Sequence, residues 1–332
     1  SACRIPEITD SPVELDRAMR WGFGWSAGPF ELWDILGLEM VLADMKAAML
    51  TVPAWVETMR QNGGTSFYQG SHQNTQVYNG DRQNYLPLQL PTDEIRLADL
   101  KADAGRTLWE NSESALLDLG DGGVLFEFRS KGNTLSYQVM AGLSETLKIL
   151  EADDYRGLVI GNDSANFSGG ANLAEMGALA NAGNFDAIAR VLAEFQTIFM
   201  RLYYSPKPVV AAIQGRALGG GCEIVMACPQ VVAAAETYIG LVELSVGLVP
   251  GAGGLMGMVA RAAERAGSES PERIQPFLKA AFETIAMAKA SGSALEAKAM
   301  GFLPPNAKIL MNGDRRLYVD KQEVLHLERE GY

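Results

Sequence analysis

The stretch GRALGGGCEIVMAC, residues 215–228, closes the aliphatic run PVVAAIQG at 208–215 and opens a segment with helical apolar spacing. Its three consecutive glycines, Gly219 to Gly221, each cost backbone entropy, so they mark a place where the chain needs positive φ or a very close approach. Two readings fit: a tight strand-to-helix turn packed on neighbouring backbone, or a turn whose amides face a ligand oxygen. The helix start favours the second, because it aims unpaired N–H groups and the positive dipole end at whatever lies in front. Glu223 falls in the first turn of that helix, between Cys222 and Ile224. Acids favour helix amino termini, yet one set among apolar neighbours is expected to be partly buried, and a buried carboxylate needs a reason.

Twenty residues on, GLVELSVGLVPGAGG (240–254) repeats the pattern, with Glu243 between aliphatics ahead of a Gly-Pro-Gly loop that opens another helix. A single such acid reads as a satisfied core or capping residue. Two of them, each beside a glycine turn, suit the joint handling of a proton and a water. A third segment, NFSGGANLAEM (166–176), follows the short strand GLVIGN (157–162). It reads either as a turn into a helix capped by Asn172 or as a loop presenting the amide of Ala171. Two glycine-rich loops after separate strands can supply the two converging donors of an oxyanion hole.

Outward from these segments, ALLDLG (115–120) and GVLFEFRS (123–130) read as strands joined by the turn Asp121-Gly122-Gly123. Helices are expected over about 136–152 and 184–203, and VVAAAETYIG reads as a further strand pair. Strand and helix alternating in this way predict an α/β core with buried strands, followed by a helical tail with a stop near Gly301. At the other end, Ser11-Pro12 caps a helix that Gly22, Gly24 and Gly28 break, a second runs from Pro29 to Leu36, and a third from Glu39 to about Leu50. The division expected is a helical fragment at 1–62, an irregular polar linker at 63–112 and the α/β domain at 113–332.

Composition narrows the function. The chain has 332 residues, 48% of them apolar, which is enough for a large core. A formal charge of −12 excludes long-range steering of nucleic acid, so an anionic ligand must be held by local donors. No apolar run approaches the roughly 18 to 20 residues of a membrane span, and no membrane insertion is expected. Cys3, Cys222 and Cys228 are odd in number and lack metal-ligand spacing, which points to a reducing, cytoplasmic setting without a disulfide framework or a metal site. His72 and His326 lie in polar segments and read as solvated. The chain begins Ser-Ala-Cys, and a longer, processed or excised parent is expected.

SGGANLAEM, GRALGGGCEIVMAC and VELSVGLVPGAGG, in this order and at these separations, resemble the enoyl-CoA hydratase (crotonase) family over roughly residues 114–265. The resemblance implies a spiral of ββα units whose oxyanion hole maps onto the amides of Ala171 and Gly220 and whose two glutamates map onto Glu223 and Glu243. It implies syn addition of water to a trans-2-enoyl-CoA, with the acids orienting the water and Glu243 delivering the proton to the α-carbon. Ser168, Gly169, Gly170, Asn172, Leu173 and Gly219 would line the substrate, with Lys131, and Arg129 beside it, as candidates for the CoA phosphates. Asn172 stands where the family commonly has an acid.

VELDRAMRWGFGWSAGPFELWDILGL (13–38) resembles the carboxy-terminal domain of 3-hydroxyacyl-CoA dehydrogenases, with Gly28 to Leu32 and Asp34 forming the GPFEL-x-D motif. EAKAMGFLPPNAKILMNGDRRL is similar to the end of fused proteins that place the hydratase last. The resemblance implies a bifunctional β-oxidation enzyme of which this chain is the carboxy-terminal part. Coenzyme A enters as part of the acyl-CoA thioester substrate. This chain is expected to bind no cofactor of its own: it shows no GxGxxG turn, so NAD would belong to a dehydrogenase domain outside it. A homo-oligomer and a thiolase are the partners the resemblance implies. The competing readings are a Δ3,Δ2-enoyl-CoA isomerase using Glu243 alone and a non-catalytic acyl-CoA-binding module.

Overall fold

In the computed structural model, which describes residues 1–5, 7–70, 74–89, 91–267 and 270–332, Asp121 and Gly122 take φ of 56° and 81°. They form the two-residue turn that joins β5 (Ser114–Gly120) to β6 (Gly123–Phe128), the primed geometry that matches strand twist. With β4 (Thr107–Glu110), β8 (Gly157–Gly161), β10 (Val209–Leu218), β11 (Gln230–Gly240) and β12 (Lys308–Leu310) they make a seven-stranded sheet of order β12-β11-β10-β8-β6-β5-β4. The β4-β5-β6 pairs are antiparallel and the rest are parallel.

The central strands β6 and β8 and the first half of β10 are apolar at nearly every position because both faces are covered. Leu158, Ile160, Ala211 and Ile213 point to one core with α6 (Tyr137–Ala152), α8 (Phe185–Tyr203) and α9 (Gly220–Ala227). The alternate residues Val159, Val210 and Ala212 point to a second core under α5 (Leu97–Ala102) and α13 (Arg316–Arg329). The remaining elements of this unit are β7 (Thr134–Leu135), β9 (Gly170–Ala171), α7 (Leu173–Asn181), α10 (Gly254–Ala266), α11 (Pro271–Ala286) and α12 (Ala294–Met300). Two expectations need correction. VVAAAETYIG lies in one long strand, β11, rather than a pair, and the tail contains β12, whose three residues are too few to carry a period of two.

The chain divides into Ser1–Thr92 and Asp93–Tyr332, which moves both linker boundaries. Residues 93–112 belong to the second unit, with α5 and β4. In the first unit α1 (Pro12–Phe23), α2 (Pro29–Leu36), α3 (Leu38–Ala47) and α4 (Ala54–Gln61) are followed by β1 (Tyr68–Gln69), β2 (Gln76–Asn79) and β3 (Asn84–Pro87), an antiparallel sheet where an irregular linker was expected. Two acids impose that order. Asp34 accepts the amides of Phe67 at 2.7 Å and Tyr68 at 2.9 Å. Asp16 accepts the amides of Phe30 at 2.8 Å and Glu31 at 3.2 Å and the Tyr68 hydroxyl at 2.6 Å. Phe67 is thereby seated against Phe30, Trp33 and Trp55. His72 lies outside the described residues, and His326 is exposed on α13. No helix is long and apolar enough to cross a membrane among the described residues.

Asp16→Ala strands a buried amide, a half-buried amide and a hydroxyl at once, so it should lower stability by about 2 to 4 kcal/mol. Tyr68→Phe, which removes one donor, should cost about 1 kcal/mol. Urea unfolding of the full chain distinguishes the two; equal effects would deny Asp16 this organising role.

Candidate active site

The glycine triplet stands where β10 turns into α9. Gly219, at φ 54°, donates its amide to the Gly240 carbonyl at 2.9 Å and so ties the turn to β11. A Cβ on Gly221 would fall 2.7 Å from that of Ser168, and one on Gly220 would fall 3.2 Å from the Ala171 amide nitrogen. The packing reading of the triplet therefore holds, and the amide of Gly220, in the first turn of α9, has no intrahelical partner.

Residues 166–171 run beside the end of β10. Ser168 N donates to Arg216 O at 2.9 Å, and Leu218 N donates to Ser168 O at 3.0 Å. β9 then pairs in parallel with β7, and Asn172 N donates to Leu135 O at 3.3 Å. Successive amides of a strand face opposite sides, so with Asn172 N–H on β7 the Ala171 N–H is turned away from it. Asn172 also caps α7, its Oδ1 accepting from the amides of Ala174 and Glu175.

A cavity of about 650 Å³ opens here, lined by Gly169, Gly170, Ala171, Asn172 and Leu173, by Gly219 and Gly220, and by both Glu223 and Glu243. Three proposed contacts lie elsewhere. Ser168 is fully buried beneath the loop, where its hydroxyl donates to Asn133 O at 2.7 Å and accepts from Gly170 N at 3.1 Å. Its polarity serves the loop, not the cavity. Lys131 is exposed on a single 3-10 turn outside the lining, and Arg129 is paired with Glu110 at 2.9 Å and Glu127 at 3.5 Å.

The two carboxyl groups have unlike surroundings. Glu223 is 5% exposed, and its Oε1 accepts the amides of Ala252 at 2.8 Å and Gly254 at 2.9 Å, at the start of α10. Burial raises its pKa, while the amides of Gly254, Ala252 and Gly253 oppose the rise by favouring the charge. Glu243 opens a 3-10 turn, and neither of its buried oxygens meets a hydrogen-bond partner. Burial pushes its pKa up to about 7; its own backbone amide pulls the other way, and the charge of Glu223 adds to the rise. Glu243 Oε1 would lie 3.4 Å from a Cβ on Gly219, beside the turn that carries the Gly220 amide. Among the described residues, no His, Cys, Asp or Glu side chains cluster as metal ligands.

Sequence reading left open which long-helix residues face the cavity. They are Ile188, Val191, Leu192 and Phe195 of α8, joined by Leu248 and Val249. Glu175 was missed altogether: it lines the cavity and accepts the Tyr137 amide at 3.0 Å, linking α7 to the start of α6. It sits within NFSGGANLAEM, but only the fold shows what it touches.

The fold and the arrangement of amides and acids define a crotonase-type protein. Residues 123–274 match the family Enoyl-CoA hydratase/isomerase, and residues 1–74 match the 3-hydroxyacyl-CoA dehydrogenase C-terminal domain. The chain thus carries a domain of the enoyl-CoA hydratase/isomerase (crotonase) family, preceded in sequence by a 3-hydroxyacyl-CoA dehydrogenase C-terminal domain. Over its whole length it is 38% identical to a probable 3-hydroxyacyl-CoA dehydrogenase of Bacillus subtilis, spanning 41% of that relative. A probable enoyl-CoA hydratase of the same organism is 38% identical over 146 residues, 42% of this chain and 55% of the relative. A crystal structure of an enoyl-CoA hydratase from a Polaromonas species shares the fold, with a TM-score of 0.53 at 22% identity over 65% of this chain and 77% of that one.

The Glu243 carboxyl should be seen in infrared difference spectra to ionise near pH 7, protonated below and charged above, and the signal should vanish in Glu243→Gln. In Glu223→Gln, which removes the neighbouring charge, the midpoint should fall. Titration of Glu243 in the ordinary carboxylate range would contradict this account of its surroundings.

Proposed function

We infer that the cavity hydrates trans-2-enoyl-CoA thioesters to 3-hydroxyacyl-CoA. The observation that carries this reading is the meeting, in one cavity, of two amides from separate loops and two acids of unlike environment. The amides of Ala171 and Gly220 donate to the thioester oxygen and hold the negative charge that develops on it as the double bond is attacked. Glu223, its charge supported by backbone donors, takes a proton from the attacking water, whose oxygen bonds to the β-carbon. Glu243, whose raised pKa keeps a proton available near neutrality, delivers that proton to the α-carbon. The net change is addition of one water, and return of the proton from Glu223 to Glu243 resets the pair.

The product class supports a place for the first unit. A 3-hydroxyacyl-CoA is what a 3-hydroxyacyl-CoA dehydrogenase oxidises, and residues 1–74 match the C-terminal domain of that family. We therefore place hydration ahead of an NAD-dependent oxidation in fatty-acid β-oxidation, within a fused protein whose NAD-binding part lies outside this chain.

Crotonyl-CoA should lose its conjugated thioester absorbance in the presence of the protein. Glu223→Ala and Glu243→Gln should each lower kcat by roughly 10²- to 10⁴-fold, the usual yield of a positioned acid or base. Full hydration by Glu223→Ala would refute the assignment; loss of hydration with 3-enoyl isomerisation retained would assign Glu243 alone to the isomerase reaction. Because Glu243 must start protonated, kcat/KM should fall as pH rises through about 7. The acids interact, so this limb belongs to the pair rather than to one residue. A rate that climbs through the same interval would assign Glu243 the opposite role. Binding of acyl-CoA without any turnover would leave a non-catalytic module.

A further inference from the structure

The catalytic cavity has a second compartment beside it. Phe195 of α8 lines that cavity and also a groove of about 700 Å³ between α6 and α8, and Tyr137, the first residue of α6, is shared in the same way. Helical spacing explains the arrangement: Ile188, Val191, Leu192 and Phe195 form one stripe facing the cavity, whereas Glu194, Ile198 and Arg201 face the groove. Phe195 stands on the border between the stripes. It is 8% exposed, with its ring centroid 6.3 Å from that of Phe199, whereas Tyr137 is 61% exposed.

The groove is floored by the buried Met140 and Ile198, with the exposed Ala141 beside them. On its charged rim, which also carries Arg190 and Glu194, Lys148 pairs with Glu145 at 2.9 Å and Arg201 pairs with Glu151 at 2.9 Å. Cations held in this way present their alkyl stems to what lies beneath. A hydrocarbon chain growing outward from the cavity meets this surface as soon as it passes the Phe195 ring.

The geometry points to Phe195 as the partition that sets acyl chain length, and to the α6–α8 groove as a second subsite for the distal part of long acyl chains. This rests on the reading of the cavity as an acyl-CoA site. Short chains end against the ring, so affinity rises with each added methylene only until the ring is reached. Beyond that point a chain must displace a packed aromatic side chain before it gains further burial. Each methylene then buried is worth about fourfold in affinity.

Calorimetric titration of the full chain with saturated C4, C8, C12 and C16 acyl-CoA tests this without turnover, and kcat/KM for the matching trans-2-enoyl-CoA thioesters tests it with turnover. Phe195→Ala should raise the C16 to C4 affinity ratio at least tenfold, Phe195→Leu should raise it by less, and Phe195→Trp should lower it. Adding Ile198→Trp, which fills the groove, should return the ratio of the Phe195→Ala protein toward the wild-type value. A ratio that does not move in folded Phe195→Leu and Phe195→Trp proteins overturns the partition. A gain in Phe195→Ala that survives Ile198→Trp overturns the groove as the route. Should C4 be bound and hydrated while the ratio stays fixed, only this inference falls; should no acyl-CoA be bound at all, the proposed function falls with it.

Discussion

The arrangement depends on one close approach: the backbone of Gly220 lies so near the Ala171 amide that even a methyl group would sit 3.2 Å from its nitrogen. A side chain at position 220 would crowd that nitrogen and push the two loops apart. The approach is held from two directions. Gly219 is bonded to the end of β11 through Gly240, and the 166–171 loop is bonded to β10 on one side and to β7 on the other. Three strands and one helix start are thereby spent on placing two amides, which accounts for the glycine density that stands out in the chain.

Around that point the two acids are differentiated by what they touch. Glu223 sits in α9 and faces the amides that open α10, so an ionised side chain there is answered by donors and by a helix dipole. Glu243 arrives on a 3-10 turn with both oxygens enclosed and unanswered. Burial penalises charge in both, and Glu223 alone meets donors from another segment, three amides against the single amide of Glu243's own backbone. A pair of identical residues is thus divided into one suited to carry charge and one suited to carry a proton.

Much of this was legible beforehand because the signals are local. Three glycines in a row, a cap at Asn172 and acids among aliphatics are each visible within a few residues, and the Asp121-Gly122 turn specifies its own hairpin. What escaped reading depends on distant partners. The polar segment after Gly63 has strands of two to four residues, and its order comes from Asp16 and Asp34, dozens of residues upstream. Ser168 looked like a ligand contact because it lies in the right loop, yet its hydroxyl is consumed by Asn133 and Gly170. Glu175 and Phe195 acquire meaning only once α6, α7 and α8 surround one cavity. The GPFEL-x-D motif is another such case: its aspartate, Asp34, secures the turn into β1.

The central claim is that the amides of Ala171 and Gly220 converge on one thioester oxygen. Isotope-edited infrared spectroscopy of a bound, carbonyl-labelled thioester that cannot be hydrated tests it most directly. Two charge-stabilising donors should shift the carbonyl stretch to markedly lower frequency than in water, and Gly220→Ala should abolish much of that shift. A bound carbonyl that vibrates as it does in water, with affinity intact, would show that the two amides do not serve the thioester.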